Sequence, residues 1–215
     1  MREAVIEKVL QTKLVAIVRG VYGQDCLNLA KALYDGGIQA LEVTFDQANP
    51  QLWEKTADTI SQLNRTLGDR MIFGAGTVTS EELVTIAKNA GAKFIVSPDC
   101  NPDVIRATVE ADMVSMPGAM TPTEVLQAHR AGADFVKLFP AGNLGAGYVK
   151  AVAAPINHVR LLAVGGVNET NVADYLAAGA VGAGVGGNLV NKTWIAEGQF
   201  DRITALAKAF TDAVQ

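Results

Sequence analysis

Along the chain, short apolar or β-branched runs alternate with longer stretches in which apolar positions recur every three or four residues. The short runs predict strands at 14–19 (LVAIVR), 40–45 (ALEVTF), 71–76 (MIFGAG), 93–98 (KFIVSP), 113–118 (MVSMPG), 135–140 (FVKLFP), 159–166 (VRLLAVGG) and 180–187 (AVGAGVGG). The longer stretches predict helices over 24–36, 50–67, 80–90, 101–110, 122–131, 145–154, 168–178 and 199–213, with an additional helix over 2–11. Punctuation agrees: Thr79-Ser80-Glu81-Glu82 opens the third helix of the main series, Thr121-Pro122 the fifth, and Gly36, Gly91, Gly132 and Gly179 close four of them. Strictly alternating strands and helices imply a parallel sheet covered by helices. Eight such units in 215 residues fit a (β/α)8 TIM barrel with an extra N-terminal helix, residues 1–215 forming one domain. An open doubly wound sheet would have fewer strands and a phosphate loop after the first, but that strand ends in Arg19-Gly20, not GxGxxG.

Composition narrows the partners. With 49% hydrophobic and 19% charged residues the chain can bury a large core. A formal net charge of -4 without Lys/Arg runs gives no footprint for nucleic acid or a membrane surface, so a bound phosphate must be met locally. The opening segment mixes charges with apolar residues, unlike a signal peptide, and no apolar run approaches the ~20 residues of a spanning helix, so a cytoplasmic protein is expected. Cys26 and Cys100 stand in no CxxC pair and read as two reduced thiols.

In a TIM barrel, chemistry sits at the C-terminal ends of the strands. Lys137, in FVKLFP, falls on one strand face with Phe135 and Phe139. A desolvated lysine is a Schiff-base nucleophile, although a structural lysine paired with a carboxylate suits the same position. Glu42 shares a face of the second strand with Ala40 and Thr44, opposite Leu41, Val43 and Phe45; buried near a lysine it suits either proton transfer or ion pairing. Gly165-Gly166-Val167-Asn168 follows the seventh strand and Gly184-Val185-Gly186-Gly187-Asn188 the eighth, where TIM barrels often hold phosphate on exposed backbone N–H groups. Arg19 suits an anion clamp or a solvated strand end. His129 and His158 lie away from the catalytic rim without ligand-spaced partners, so no metal or cofactor is expected, although Glu42, Asp46 and Asp99 leave an oxygen-only magnesium site open.

With these residues in place, the sequence resembles the 2-keto-3-deoxy-6-phosphogluconate (KDPG) aldolase family, which includes phosphogalactonate and 4-hydroxy-2-oxoglutarate aldolases. AIVRG, GGIQALEVTF, GAGTV, GAKFIVSP, MPGAMTPTE, FVKLFPA, VGGVN and GVGGNLV carry the likeness over nearly the whole chain. It implies a class I aldolase that yields pyruvate and glyceraldehyde 3-phosphate. Lys137 would form the imine, Glu42 would move protons, Thr77 would touch the pyruvyl group and Pro98 would shape its pocket. Gly165, Gly166, Gly186, Gly187 and Asn188 would hold the phosphate, in a homotrimer that takes a small keto acid.

Two positions depart from the family pattern. Asp46 stands where phosphogluconate aldolases carry a carboxylate-binding arginine, and Asp99 replaces the glycine of SPG. Arg19 is then the candidate for the substrate carboxylate, and Val164 before the Gly-Gly pair is similar to the galactonate type. Three alternatives stay open: a 4-hydroxy-2-oxoglutarate aldolase giving glyoxylate, an isomerase or phosphate-transferring synthase on the same barrel, and a phosphosugar-binding barrel without turnover.

Overall fold

A computed structural model describes residues 2–215. Helix α1 (Arg2–Thr12) leads into β1 (Leu14–Val18), α2 (Gly23–Asp35), β2 (Ala40–Thr44), a 3-10 turn at Pro50–Leu52 and α3 (Trp53–Leu67). Then come β3 (Ile72–Gly76), α4 (Glu81–Asn89), β4 (Phe94–Val96), α5 (Pro102–Glu110), β5 (Val114–Met116), β6 (Gly118–Ala119) and α6 (Pro122–Arg130). The last part runs β7 (Val136–Leu138), α7 (Ala141–Ala153), β8 (Leu161–Val164), α8 (Val172–Ala177), β9 (Gly182–Val185), α9 (Lys192–Ala196) and α10 (Phe200–Ala213). The order around the sheet is β5-β4-β3-β2-β1-β9-β8-β7-β6, every pairing parallel.

The predicted fifth strand is β5 and β6 together, interrupted at Pro117, which has no N–H to give to a ladder. Its first half pairs with β4 and its second with β7. The N–H groups of Phe135 and Lys137 donate to Ser115 O (3.2 Å) and Pro117 O (2.9 Å), which carries the pairing across the break and closes the barrel.

Two apolar layers follow from strand alternation. Leu41, Val43 and Phe45 face outward into the core between strands and helices, while Val15, Ala40, Phe94, Val96, Phe135 and Leu162 fill the barrel. Val5, Ile6 and Val9 of α1 join the inner cluster, so the N-terminal helix stops one end of the barrel. It is tied there by Arg2, whose Nη2 lies 2.8 Å from Asp134 Oδ1 and donates to Gly132 O at 3.2 Å. Among the described residues no helix is long and apolar enough to cross a membrane.

Helix ends depart from expectation where side chains rebuild the backbone. The segment predicted as a helix over 145–154 already turns at Ala141, with a break at Gly145 (φ 77°, ψ 166°). The one predicted over 168–178 starts only at Val172, because Asn168 Oδ1 accepts from the N–H groups of Thr170 and Asn171 and holds those residues in a turn. The short α9 is an element the periodicity did not predict. Ser80 caps α4 and Thr121 with Glu124 forms a capping box on α6, at the helix starts the sequence marked.

Candidate active site

At the barrel end opposite α1, a cleft of about 270 Å³ is lined by residues from the ends of most strands. Lys137 and Glu42 reach it from β7 and β2, which stand on opposite sides of the barrel, with β1, β9 and β8 between them along one way round. Both are buried, with 8% and 2% of their surface exposed. Below them the floor is apolar, formed by Val15, Val96, Met116 and Leu162. Burial pushes Glu42 up to about 7, against the downward pull of the Lys137 and Arg19 charges. Burial also lowers Lys137 from the ordinary lysine range, opposed by Glu42 and assisted by Arg19. The Lys137 ammonium lies 4.7 Å from the centroid of the Phe139 ring, two residues on and on the same strand face. Such a site stores an amine that loses its proton more readily than a solvated one beside a carboxyl group able to exchange a proton near neutrality.

Glu42 has room only because β3 ends in glycine. A Cβ at Gly76 would lie 2.5 Å from Glu42 Oε1. The next residue, Thr77, takes φ 57°, a left-handed conformation rare for a β-branched residue. Its place is fixed from two sides: Gln47 Nε2 donates to its carbonyl at 2.7 Å and Arg19 Nη2 donates to its hydroxyl at 3.4 Å. Arg19 and Thr77 thus present a guanidinium and a hydroxyl together at the cleft, next to Pro98. Asp46 does not line it; its carboxylate accepts from Asn49 Nδ2 (2.9 Å) and Ala48 N (3.0 Å), and Asn49 chiefly holds it below the usual carboxylate range. Asp99 also lies outside the lining.

The glycine loops form the remaining wall. Gly165 and Gly166 have φ 89° and 73°, and Gly166 packs so closely on α7 that a Cβ at Gly142 would meet its Cα at 2.8 Å. Asn188 Nδ2 donates to Val167 O at 3.5 Å, so its side chain joins the two loops. A Cβ at Gly187 would meet nothing within 4 Å; no protein contact requires glycine there.

The ten residues singled out in the sequence, Arg19, Glu42, Thr77, Pro98, Lys137, Gly165, Gly166, Gly186, Gly187 and Asn188, all line this one cleft. Ile17, Phe139 and Val167 line it as well and had no polar signal to mark them; for Phe139 the shared face with Lys137 was the available clue. Among the described residues no group of three or more His, Cys, Asp or Glu is arranged to hold a metal, and Glu42, Asp46 and Asp99 are not brought together. His129 and His158 stack edge to face, ring centroids 5.0 Å apart, at the end of α6 and ahead of β8.

Known proteins share this sequence and shape. The family model for KDPG and KHG aldolase matches residues 5–206. The 2-dehydro-3-deoxy-6-phosphogalactonate aldolase of Escherichia coli (strain K12) is 36% identical over 208 residues, covering 95% of this chain and 98% of the relative. A solved native KDPGal structure superposes with a TM-score of 0.84 at 35% identity, covering 94% of this chain and 93% of that one. KDPG aldolase from Legionella pneumophila, solved with pyruvate captured as a covalent carbinolamine, superposes with a TM-score of 0.84 at 26% identity over 95% and 97% of the two chains. Matching sequence and barrel over nearly its full length, the chain belongs to the KDPG and KHG aldolase family.

Proposed function

We propose that this chain is a class I aldolase that cleaves a 2-keto-3-deoxy-6-phospho sugar acid through an imine on Lys137. The observation that carries the reading is a buried, downward-shifted lysine sharing one cleft with a carboxyl group titrating near 7. Neutral Lys137 attacks the C2 ketone, and Glu42 supplies and removes protons as the carbinolamine loses water to the imine. Removal of the C4 hydroxyl proton breaks the C3–C4 bond; its electrons pass into the protonated imine, giving the enamine of pyruvate and releasing glyceraldehyde 3-phosphate. Protonation at C3 and hydrolysis then return pyruvate and the free amine.

The remaining roles follow from position. Arg19 and Thr77 clamp the pyruvyl carboxylate, a task closed to the anionic Asp46, whose carboxylate is turned to Asn49 and Ala48. Backbone N–H groups of the glycine loops meet the phosphate, and the open space at Gly187 suits a ligand approaching the backbone. The protein acts as a homotrimer by analogy with its family, which light scattering on the purified protein tests.

Intact mass after incubation with pyruvate and sodium borohydride, followed by peptide mapping, tests the central step. A reduced pyruvyl adduct on Lys137 is expected; a folded protein without adduct would overturn the imine and favour the isomerase or phosphosugar-binding readings. Assaying both C4 epimers, with and without phosphate, then assigns the substrate, with Val164 in the cleft wall favouring the galactonate form.

A further inference from the structure

A side groove leaves the reactive cleft between the ends of β1 and β9. This groove, of about 240 Å³, shares Ile17, Arg19, Gly186 and Gly187 with the cleft and runs out to Lys192 at the start of α9. Beyond Lys192 a second hollow of about 370 Å³ continues along Gly20, Tyr22, Asp25 and Lys55. The Lys192 ammonium lies over the end of β1, since a Cβ built on Gly20 would lie 3.3 Å from Nζ. Among the described residues, Lys192 makes no ion pair. Lys55 sits 4.8 Å from the centroid of the Tyr22 ring, and Asp25 is the one carboxylate among these lining residues.

Three cations, Arg19, Lys192 and Lys55, thus follow one path out of the cleft of a chain whose formal net charge is -4. Such local concentration of positive charge draws an anion where the overall charge repels it. Arg19 is engaged with Thr77 at the reactive end, and Lys55 lies over an aromatic ring, leaving Lys192 as the unpaired cation nearest the glycine loop. We infer that Lys192 is a specificity-determining residue: it receives the distal anionic group of the substrate as this passes Gly186 and Gly187, and so favours phosphorylated over unphosphorylated keto acids. The inference rests on the imine reading of Lys137, which anchors the other end of the substrate.

The test compares Lys192→Ala and Lys192→Arg with the unaltered protein, measuring kcat/KM for a 6-phosphorylated keto-deoxy sugar acid and for the same acid without phosphate, beside pyruvate–borohydride trapping. The expected result is a roughly tenfold fall in the phosphorylated-to-unphosphorylated ratio for the alanine variant, carried by KM, with the arginine variant recovering most of it. A ratio within twofold of the unaltered protein, with the pyruvyl adduct still formed on Lys137, would overturn the role of Lys192 and leave the imine reading intact. Absence of the adduct in the unaltered protein would overturn both. Lys192 is exposed, so neither substitution disturbs the core.

Discussion

Glu42 and Lys137 face one cleft from opposite sides of the barrel, and burial drives each towards its neutral form while the attraction between their charged forms resists. The two residues therefore need not rest as an ion pair. Each is poised to change protonation when a substrate alters the balance, which an imine cycle requires at every turn.

Lys137→Ala should abolish turnover and the borohydride-trapped pyruvyl adduct together, while far-ultraviolet circular dichroism still reports a folded barrel. Losing a covalent nucleophile removes the pathway, so a fall of at least ~10³-fold is expected. Substantial cleavage by this variant would show that the amine is not the nucleophile.

Glu42→Gln should slow turnover by roughly 10² to 10⁴-fold, the usual range for a lost general acid–base. It should also change how stability depends on pH. The folded state raises the Glu42 pKa from 4.5 to about 7, so it binds that proton more tightly than the unfolded chain does. The resulting stability is fully present below about 4.5 and is lost as pH rises through about 7. Glutamine cannot ionise, so relative to the variant the unaltered protein should lose as much as ~3 kcal/mol between pH 4.5 and 8, measured by urea unfolding.

Gly76→Ala places a methyl group 2.5 Å from Glu42 Oε1. The carboxyl must move, and a shift of about 1 Å at a reacting group costs on the order of 10²-fold in rate. Overpacking should cost ~1–3 kcal/mol of stability as well. Rate and thermal melting measured on one preparation check both; a fully active alanine variant would show that the position of Glu42 is not critical.

Removing the positive charge of Arg19 should act on both titrating groups in the same sense. Its charge lowers both Glu42 and Lys137, so Arg19→Met should raise both and move the pH profile of pyruvate trapping upward. The KM for pyruvate should rise about tenfold or more through the lost charged contact. An unmoved profile would mean that solvent screens Arg19 from the buried pair.

How much the sequence disclosed depended on the range of the interaction. Period-two alternation grouped Lys137 with Phe135 and Phe139, and set Glu42 with Ala40 and Thr44 apart from Leu41, Val43 and Phe45, because a strand face is decided by neighbours two residues away. Gly-rich strand ends marked the loops that wall the cleft for a similar local reason. The division of the fifth strand at Pro117, the early start of α7 and the short α9 depend on partners far along the chain. Asp46 looked like a defect in an anion site, whereas its carboxylate serves the turn formed with Ala48 and Asn49. Lys192 stands 172 residues after Gly20 in sequence (192 − 20), and no local pattern could bring them together.

Helix α1 makes the barrel a cup instead of a tube. With Val5, Ile6 and Val9 seated in its base, the reactive cleft and its side groove both open away from α1, and on the imine reading the fragment bound to Lys137 is expected to lie deeper than the fragment against the glycine loops. On that reading departure should follow an order: the aldehyde should clear the opening before water reaches the tethered three-carbon unit. Pyruvate should accordingly leave last and, run in reverse, enter first, so an aldehyde added at high concentration should obstruct its own partner and inhibit synthesis.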